Sequence, residues 1–406
     1  MIAVDRAVKK SLTVDLFVSL LVSFLIVMFF SDAVSKYLAV KGSGFYRVSL
    51  LVRLVFEGVM LIYLIAKINR SIITYLELMI ILFVFFVIGQ VTVGNLSSSL
   101  IEGFITFNKY IFLFIVYLFL RKVLTLNRNK KEIIFKILTF LFFSNVLAIV
   151  LGFLFHINFF ESYFNQPWRY GYNGVFLAAN EATYVLVSML AFFYFRAFYE
   201  GKNKLVFYLF ALTSLVSGMK AVYIFVFMLV AFHFFNKMKF RAVMLWLIIV
   251  VLASGYVIRF IQGDVFQRLI ALFINIYEEK GLWYMLLSGR NEILLNETVL
   301  VIKDWSFLNL LIGGVDVERY IIEMDLVDLV LFFGILGSAI YIYMFYKSFI
   351  SLLLWHKFFT FFLFSILFLA FLGGHFLKSP TSAVYFTLVI LYFQDYRLTQ
   401  KQVLNC

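Results

Sequence analysis

The sequence predicts an all-α fold, a polytopic membrane bundle of about twelve spanning helices with one long loop between the ninth and tenth. Three observations carry this. Of 406 residues, 64% are hydrophobic and 14% charged, a balance that leaves too little polar surface for a soluble chain of this length. Apolar runs of about 17–25 residues, the length a helix needs to cross the hydrocarbon core, recur along nearly the whole chain. The runs are unbroken rather than alternating, which selects helices over a barrel.

The expected spans are 14–30, 48–66, 72–91, 103–120, 133–155, 181–199, 204–217, 221–235, 241–260, 326–346, 358–373 and 381–394. The short seventh span turns at Ser217-Gly218-Met219-Lys220 directly into the eighth. The first begins after Arg6, Lys9 and Lys10. That charge order is signal-like, but the apolar core is too long and no small-x-small site follows, so it reads as an uncleaved helix.

Alternate connections hold the bases. One set carries Arg6/Lys9/Lys10, Lys67/Arg70, the six bases of 121–136, Arg196/Lys202/Lys204, Lys237/Lys239/Arg241, Lys347/Lys357 and Arg397/Lys401. These are 21 of the 35 Lys and Arg residues, so this set, with both termini, is expected in the cytoplasm. The chain then divides into nine helices over 1–260, an outer loop over 261–325, and three helices with a cytoplasmic tail over 326–406. Apolar patches at 269–276, 282–287 and 293–302 predict amphipathic helices within the loop.

Composition also excludes. The single cysteine, Cys406, allows neither an intramolecular disulfide nor a cysteine metal cluster. No His/Asp/Glu cluster has metal spacing and no glycine-rich nucleotide loop appears, so neither metal nor cofactor is expected. The net charge of +13 fits orientation and anionic lipid head groups rather than nucleic acid.

Outer-side charges gather in the long loop: Arg259, Arg268, Arg290, Lys303 and Arg319, with Glu292, Asp316, Glu318, Glu323, Asp325 and Asp328. Arginine suits phosphate because its planar fork donates two parallel hydrogen bonds, and a nearby carboxylate can serve as general base. A solvated loop with incidental ion pairs is the plainer alternative. Asp325 and Asp328, three apart, share a face if the tenth helix starts early, where carboxylates also suit the helix dipole. Arg53 and Glu57 lie four apart on one face of the second helix, as a structural ion pair or a substrate contact, and Lys109 in the fourth helix poses the same choice. His156 ends an apolar helix as a packed or interfacial residue. His375, in Gly373-Gly374-His375, is a minor site candidate.

Several of these segments together resemble the O-antigen and capsule polymerase (Wzy-type) and O-antigen ligase superfamily. The order is Ser288-Gly289-Arg290, Leu311-Ile312-Gly313-Gly314, the polar run from Glu323 to Asp328, then Gly334-Ile335-Leu336-Gly337. Arg169-Tyr170-Gly171 followed by Asn180-Glu181 is similar to the family's earlier arginine–glycine and asparagine element. Ser217-Gly218-Met219-Lys220 is similar to its short turn ending in a base, and Gly374-His375 is similar to a polymerase element. The likeness spans 169–380. Ligases carry a histidine where Glu323 stands here.

The resemblance implies glycosyl transfer on the outer face of a bacterial inner membrane, from a polyprenyl-diphosphate-linked oligosaccharide to a hydroxyl of another lipid-linked unit. It implies catalytic roles for Arg290, Glu323, Asp325 and His375, with Glu323 the preferred base and Asp325 or His375 the alternatives. It implies substrate binding by Arg169, Lys220, Asn180 and Glu181, to which Arg319 is added on its charge alone, and contact with membrane lipids and a chain-length regulator protein. A lipid-linked oligosaccharide flippase, an O-antigen ligase and a non-catalytic assembly protein are the competing readings; the first would favour internal repeats, which are not apparent.

Overall fold

The computed structural model describes residues 2–45, 47–94, 98–125, 128–164, 169–237, 264–317, 319–320, 322–351 and 356–404. The ninth expected span, together with Lys239, Arg241, Arg259, Glu318 and Cys406, lies outside them. The described residues form fourteen α-helices and no strand, with one isolated antiparallel bridge between Glu161 and Tyr172.

Six helices come first: α1 (Ile2–Val40), α2 (Val48–Ala66), α3 (Arg70–Thr92), α4 (Ser98–Thr125), α5 (Arg128–Phe155) and α6 (Ala179–Phe198). The short α7 (Lys204–Leu215) and α8 (Lys220–Lys237) follow, joined by the tight turn the sequence predicts. Then come α9 (Asp264–Leu287), α10 (Arg290–Lys303), α11 (Phe307–Ile312), α12 (Asp325–Phe345), α13 (Lys357–Gly373) and α14 (Pro380–Leu404). Among the described residues, seven helical segments are long and apolar enough to cross a membrane, six lying in α1–α6 and the seventh running the length of α12 to Ile350; α7, α8 and α13 are shorter apolar helices. The chain is thus an all-α bundle of membrane-spanning character.

Most helices overrun their expected spans, α1 by about a turn or more at each end. Hydropathy marks only the part of a helix that suits lipid, whereas the backbone ladder continues until a cap or turn stops it. Asn69 starts α3 by accepting the Ile72 N–H, and Asn203 starts α7 by accepting that of Leu205. Ser306 and Asn309 form a reciprocal capping box on α11. The patches expected to be amphipathic helices fall within α9 and α10, which leave Trp283 and Leu295 exposed.

At the centre stands α6, with almost every side chain from Ala182 to Phe195 buried; α14 packs against both it and α4. Around this core, α2 and α3 bury one stripe and expose Leu, Ile and Val elsewhere, as lipid-facing helices do. Rings fill the interior: Phe86 stacks on Phe332 with centroids 5.3 Å apart, and Phe359 on Phe393 at 4.6 Å.

Arg53 and Glu57, both buried, do not pair with each other. Arg53 Nη2 donates to Asp32 Oδ1 on α1 at 2.7 Å and to Thr381 Oγ1 on α14 at 2.6 Å, and lies 3.4 Å from Glu181 Oε2 on α6. Glu57 instead accepts from the Asn108 amide on α4 at 2.8 Å. Four helices therefore meet at one guanidinium. A second buried cation, Lys36, donates to Asn173 Oδ1 and, at 2.7 Å, to Gly174 O, which ties the segment before α6 to α1.

Removing one partner of a buried ion pair costs about 3–5 kcal/mol, because the other charge stays buried and unpaired. Arg53→Ala is therefore expected to lower the melting temperature of the detergent-solubilised protein sharply. Exchanging the exposed Arg47, which lies 3.9 Å from Glu102, is expected to leave it nearly unchanged. Equal melting temperatures for wild type and Arg53→Ala would remove this junction as a lock of the bundle.

Candidate functional site

The connections between helices interlock at one end of the bundle. Tyr172 N–H donates to Val216 O, and Ser162 Oγ to Ser217 O. Asn309 Nδ2 reaches Thr92 Oγ1, and Gln90 Nε2 reaches Val315 O. Two of the sequence elements singled out above touch here: a Cβ on Gly171 would come 2.2 Å from Ser217 O, and one on Gly218 would come 1.9 Å from Tyr170 O. Only glycine allows backbones this close, so Arg169-Tyr170-Gly171 and Ser217-Gly218-Met219-Lys220 form a single joint.

That joint sets Lys220 at the start of α8. Its Nζ donates to Met285 O at 3.0 Å and Ser288 Oγ at 3.1 Å, which brings the turn before α10 into the same place. Arg169 and Arg290 both act electrostatically on the Lys220 ammonium. Arg169 lies over the Tyr163 ring, 5.0 Å from its centre. Tyr163, which sequence reading missed, has its hydroxyl pushed up by burial and partly pulled back by Arg169 and Arg290. Three cations thus converge from segments 51 and 70 residues apart along the chain.

Opposite them lies Glu323. Its Oε2 accepts from Arg290 Nη2 at 2.7 Å, and its Oε1 lies 3.4 Å from His375 Nε2. The contact with His375 holds the carboxyl down to about 2; partial burial opposes this and Arg290 reinforces it. Glu323 is therefore ionised at any pH above about 4. Arg290 Nη1 also donates to Leu287 O at 3.5 Å, while its buried Nε has no hydrogen-bond partner among the described residues.

Backbone strain collects at the same point. Among the described residues, four non-glycine residues have left-handed φ: His156 (51°), Ser288 (56°), Glu323 (60°) and His375 (65°). The last three belong to this cluster. Each such residue costs about 1–3 kcal/mol and persists only where its surroundings over-determine it, a pattern concentrated at active sites. Gly374 has φ 61°, and a Cβ there would meet Glu323 O at 2.1 Å, so the two site strands lie backbone to backbone.

The first turn of α12 straps both. Asp325, fully buried, accepts the N–H groups of Phe376 and Leu377 on Oδ2 at 2.7 and 3.0 Å, fixing the strand that carries His375. Asp328 accepts the Ile322 N–H at 3.1 Å and pairs with Lys378, fixing the strand that carries Glu323. The two aspartates share a face as the spacing predicts, but their carboxylates hold neighbouring loops rather than cap their own helix.

The remaining candidates divide. Glu181 belongs to the Arg53 junction and also lines a cavity beside His375, together with Asn180. Arg319 is exposed and stacks on Tyr320, 5.3 Å from its ring; among the described residues no contact joins it to Arg290, Lys220 or Arg169. His156 lies 3.4 Å from the Tyr172 hydroxyl and apart from the site. Lys378, missed in the sequence, follows His375 by three residues, and that spacing in a Gly-rich segment was its one available signal.

If Asp325 acts by accepting two backbone N–H groups, an amide oxygen can replace it. Asp325→Asn is expected to keep fold and activity, and Asp325→Leu to lose activity. Loss in both, with the protein still folded, would instead give Asp325 a protonic role.

Comparison of the chain with protein-family models, with curated proteins and with solved structures finds no match.

Proposed function

We propose that the chain polymerises polyprenyl-diphosphate-linked oligosaccharide units into O-antigen or capsular polysaccharide at the outer face of a bacterial inner membrane. The observation that carries this is the cluster of Arg169, Lys220 and Arg290, of which Arg290 joins the Glu323–His375 pair, at one end of a membrane bundle and on strained backbone. Three clustered cations, two of them arginines with planar forks, suit a diphosphate. The sequence resemblance and the Lys/Arg asymmetry of the loops point the same way, to twelve spans with this end outside.

In this reading the acceptor hydroxyl oxygen attacks the anomeric carbon of the donor sugar and its proton passes to His375. The bond from that carbon to the diphosphate oxygen breaks, and its electron pair leaves with the diphosphate. Arg290, Lys220 and Arg169 meet the charge that develops there, in a partly buried setting where such contacts are strong. Glu323, held ionised, is a weak base. It orients the imidazole and steadies its positive charge, as a carboxylate does for a catalytic histidine. Asp325 and Asp328 act through the strands they hold.

Deleting the gene tests the activity. The expected surface polysaccharide is single repeat units on the normal anchor; long unattached chains would mean a ligase, and neither product a flippase. In a complemented strain, Arg290→Lys is expected to reduce polymer, since the charge stays and the fork is lost, and Arg290→Ala to abolish it. Wild-type polymer from Arg290→Ala at wild-type protein level would remove Arg290 from the site.

Orientation has its own test. With Cys406 replaced, a cysteine at Lys303 is expected to react with an impermeant thiol reagent on intact spheroplasts, and one at Lys130 only after lysis. Equal labelling would overturn the topology.

A further inference from the structure

Beside His375 opens a cavity of about 210 Å³, walled by α4, the start of α6, the first turns of α12, by Val315, Val317 and Tyr320, and by His375, Lys378 and Ser379. That is room for about seven waters, the size of one sugar ring rather than of an oligosaccharide. His375 lines the cavity and also contacts Glu323, so it stands between this space and the cation cluster.

The polar groups of the wall are of mixed kind and several are uncommitted. Lys109, inside a membrane helix, has neither a hydrogen bond nor an ion pair among the described residues, although a cation there is costly unless something meets it. Asn180 is likewise without a hydrogen bond among them. The Tyr110 hydroxyl, on a side chain 1% exposed, has no hydrogen-bond partner among the described residues. Glu181 gives Oε2 to Arg53 and Thr381, which leaves Oε1 available. Tyr320 and Phe332 add aromatic faces.

This lining discriminates among occupants. A lipid tail would leave the ammonium, amide and hydroxyl unsatisfied. A diphosphate would meet two carboxylates, Glu181 and Asp328, beside two lysines, Lys109 and Lys378, a lining of balanced charge rather than a cationic one. A sugar ring fits: each hydroxyl both donates and accepts, and its C–H face packs on aromatic rings.

Resting on the polymerase reading, we infer that this cavity seats the terminal sugar of the acceptor glycan, with Lys109 and Asn180 as its specificity-determining contacts and His375 facing the attacking hydroxyl. The donor diphosphate and the acceptor sugar then occupy opposite sides of the Glu323–His375 pair.

The test separates acceptor from donor. Lipid-linked repeat units extracted from a strain lacking the gene serve as donor. The glycan freed from them by mild acid, having lost its diphosphate, serves only as soluble acceptor. With purified full-length protein, Lys109→Met and Asn180→Ala are each expected to raise the acceptor KM about tenfold or more, as loss of a hydrogen bond to a charged or well-placed group does, with kcat and the donor KM little changed. Melting temperature reports folding, and if Lys109→Met unfolds, Asn180→Ala at its exposed position decides alone. Wild-type acceptor KM in the folded variants overturns the inference while the polymerase reading stands. A wild-type protein that transfers nothing to the soluble glycan, yet polymerises the lipid-linked units, also overturns it. A wild type that forms no polymer at all fails the reading itself.

Discussion

Within hydrocarbon no water can satisfy a free N–H or C=O, so irregular backbone has to be gathered where protein or water can serve it. This constraint shapes the whole molecule. The interior of the bundle is helix and ring packing, while left-handed residues, glycine joints and cross-loop hydrogen bonds accumulate at one end. Side chains there replace the missing ladder. Asp325 and Asp328 accept three backbone N–H groups between them, and Asn309, Gln90 and Ser162 bridge loop to loop. The groups that satisfy the backbone are the ones that aim Glu323 and His375, so stability and site geometry have a common origin.

Charge is partitioned by the same logic. In the Arg53 junction each ion has a partner within hydrogen-bond distance, and Thr381 donates to Glu181 Oε2 at 2.6 Å. Its members come from four helices, so moving any one of them would unpair a buried charge. In the loop cluster Arg169 and Arg290 lie within electrostatic reach of Lys220, and Arg290 pairs with Glu323. Like charges held this close repel and are tolerated at an aqueous end more readily than at the midplane.

Much of the fold was legible in the sequence because hydropathy over about 20 residues is a local property. Expected spans at 48–66, 72–91 and 133–155 all fall on single helices, and the turn at Ser217–Lys220 lies where the small residues put it. Pairings were not legible. Arg53 and Glu57 satisfy the i, i+4 rule, yet each has partners on other helices, Asp32 and Asn108, because interhelical geometry overrides helix spacing. For the site, short ordered elements located Arg290, Lys220, Arg169, Glu323 and His375, and the structure brings these together. Arg319, placed among them on charge alone, stays outside. Tyr163, Lys378 and Lys36 carry no sequence signal of comparable strength, since what distinguishes them is a contact with a residue distant in the chain.

The departure at Glu323 acquires a physical meaning from its neighbours. A carboxylate held near 2 by His375 and Arg290 is poorly suited to take a proton, but well suited to fix an imidazole on one side and a guanidinium on the other. Both Glu323 and His375 adopt left-handed backbone, and the intervening approach of Gly374 admits no side chain. Their mutual position therefore follows from backbone contact rather than from flexible side chains reaching toward each other. A histidine at position 323 would lose the carboxylate that couples the two sides. In this chain the segments that carry Glu323 and His375 are held by the two aspartates of one helical turn, and Glu323 is the residue in contact with both the imidazole and the guanidinium.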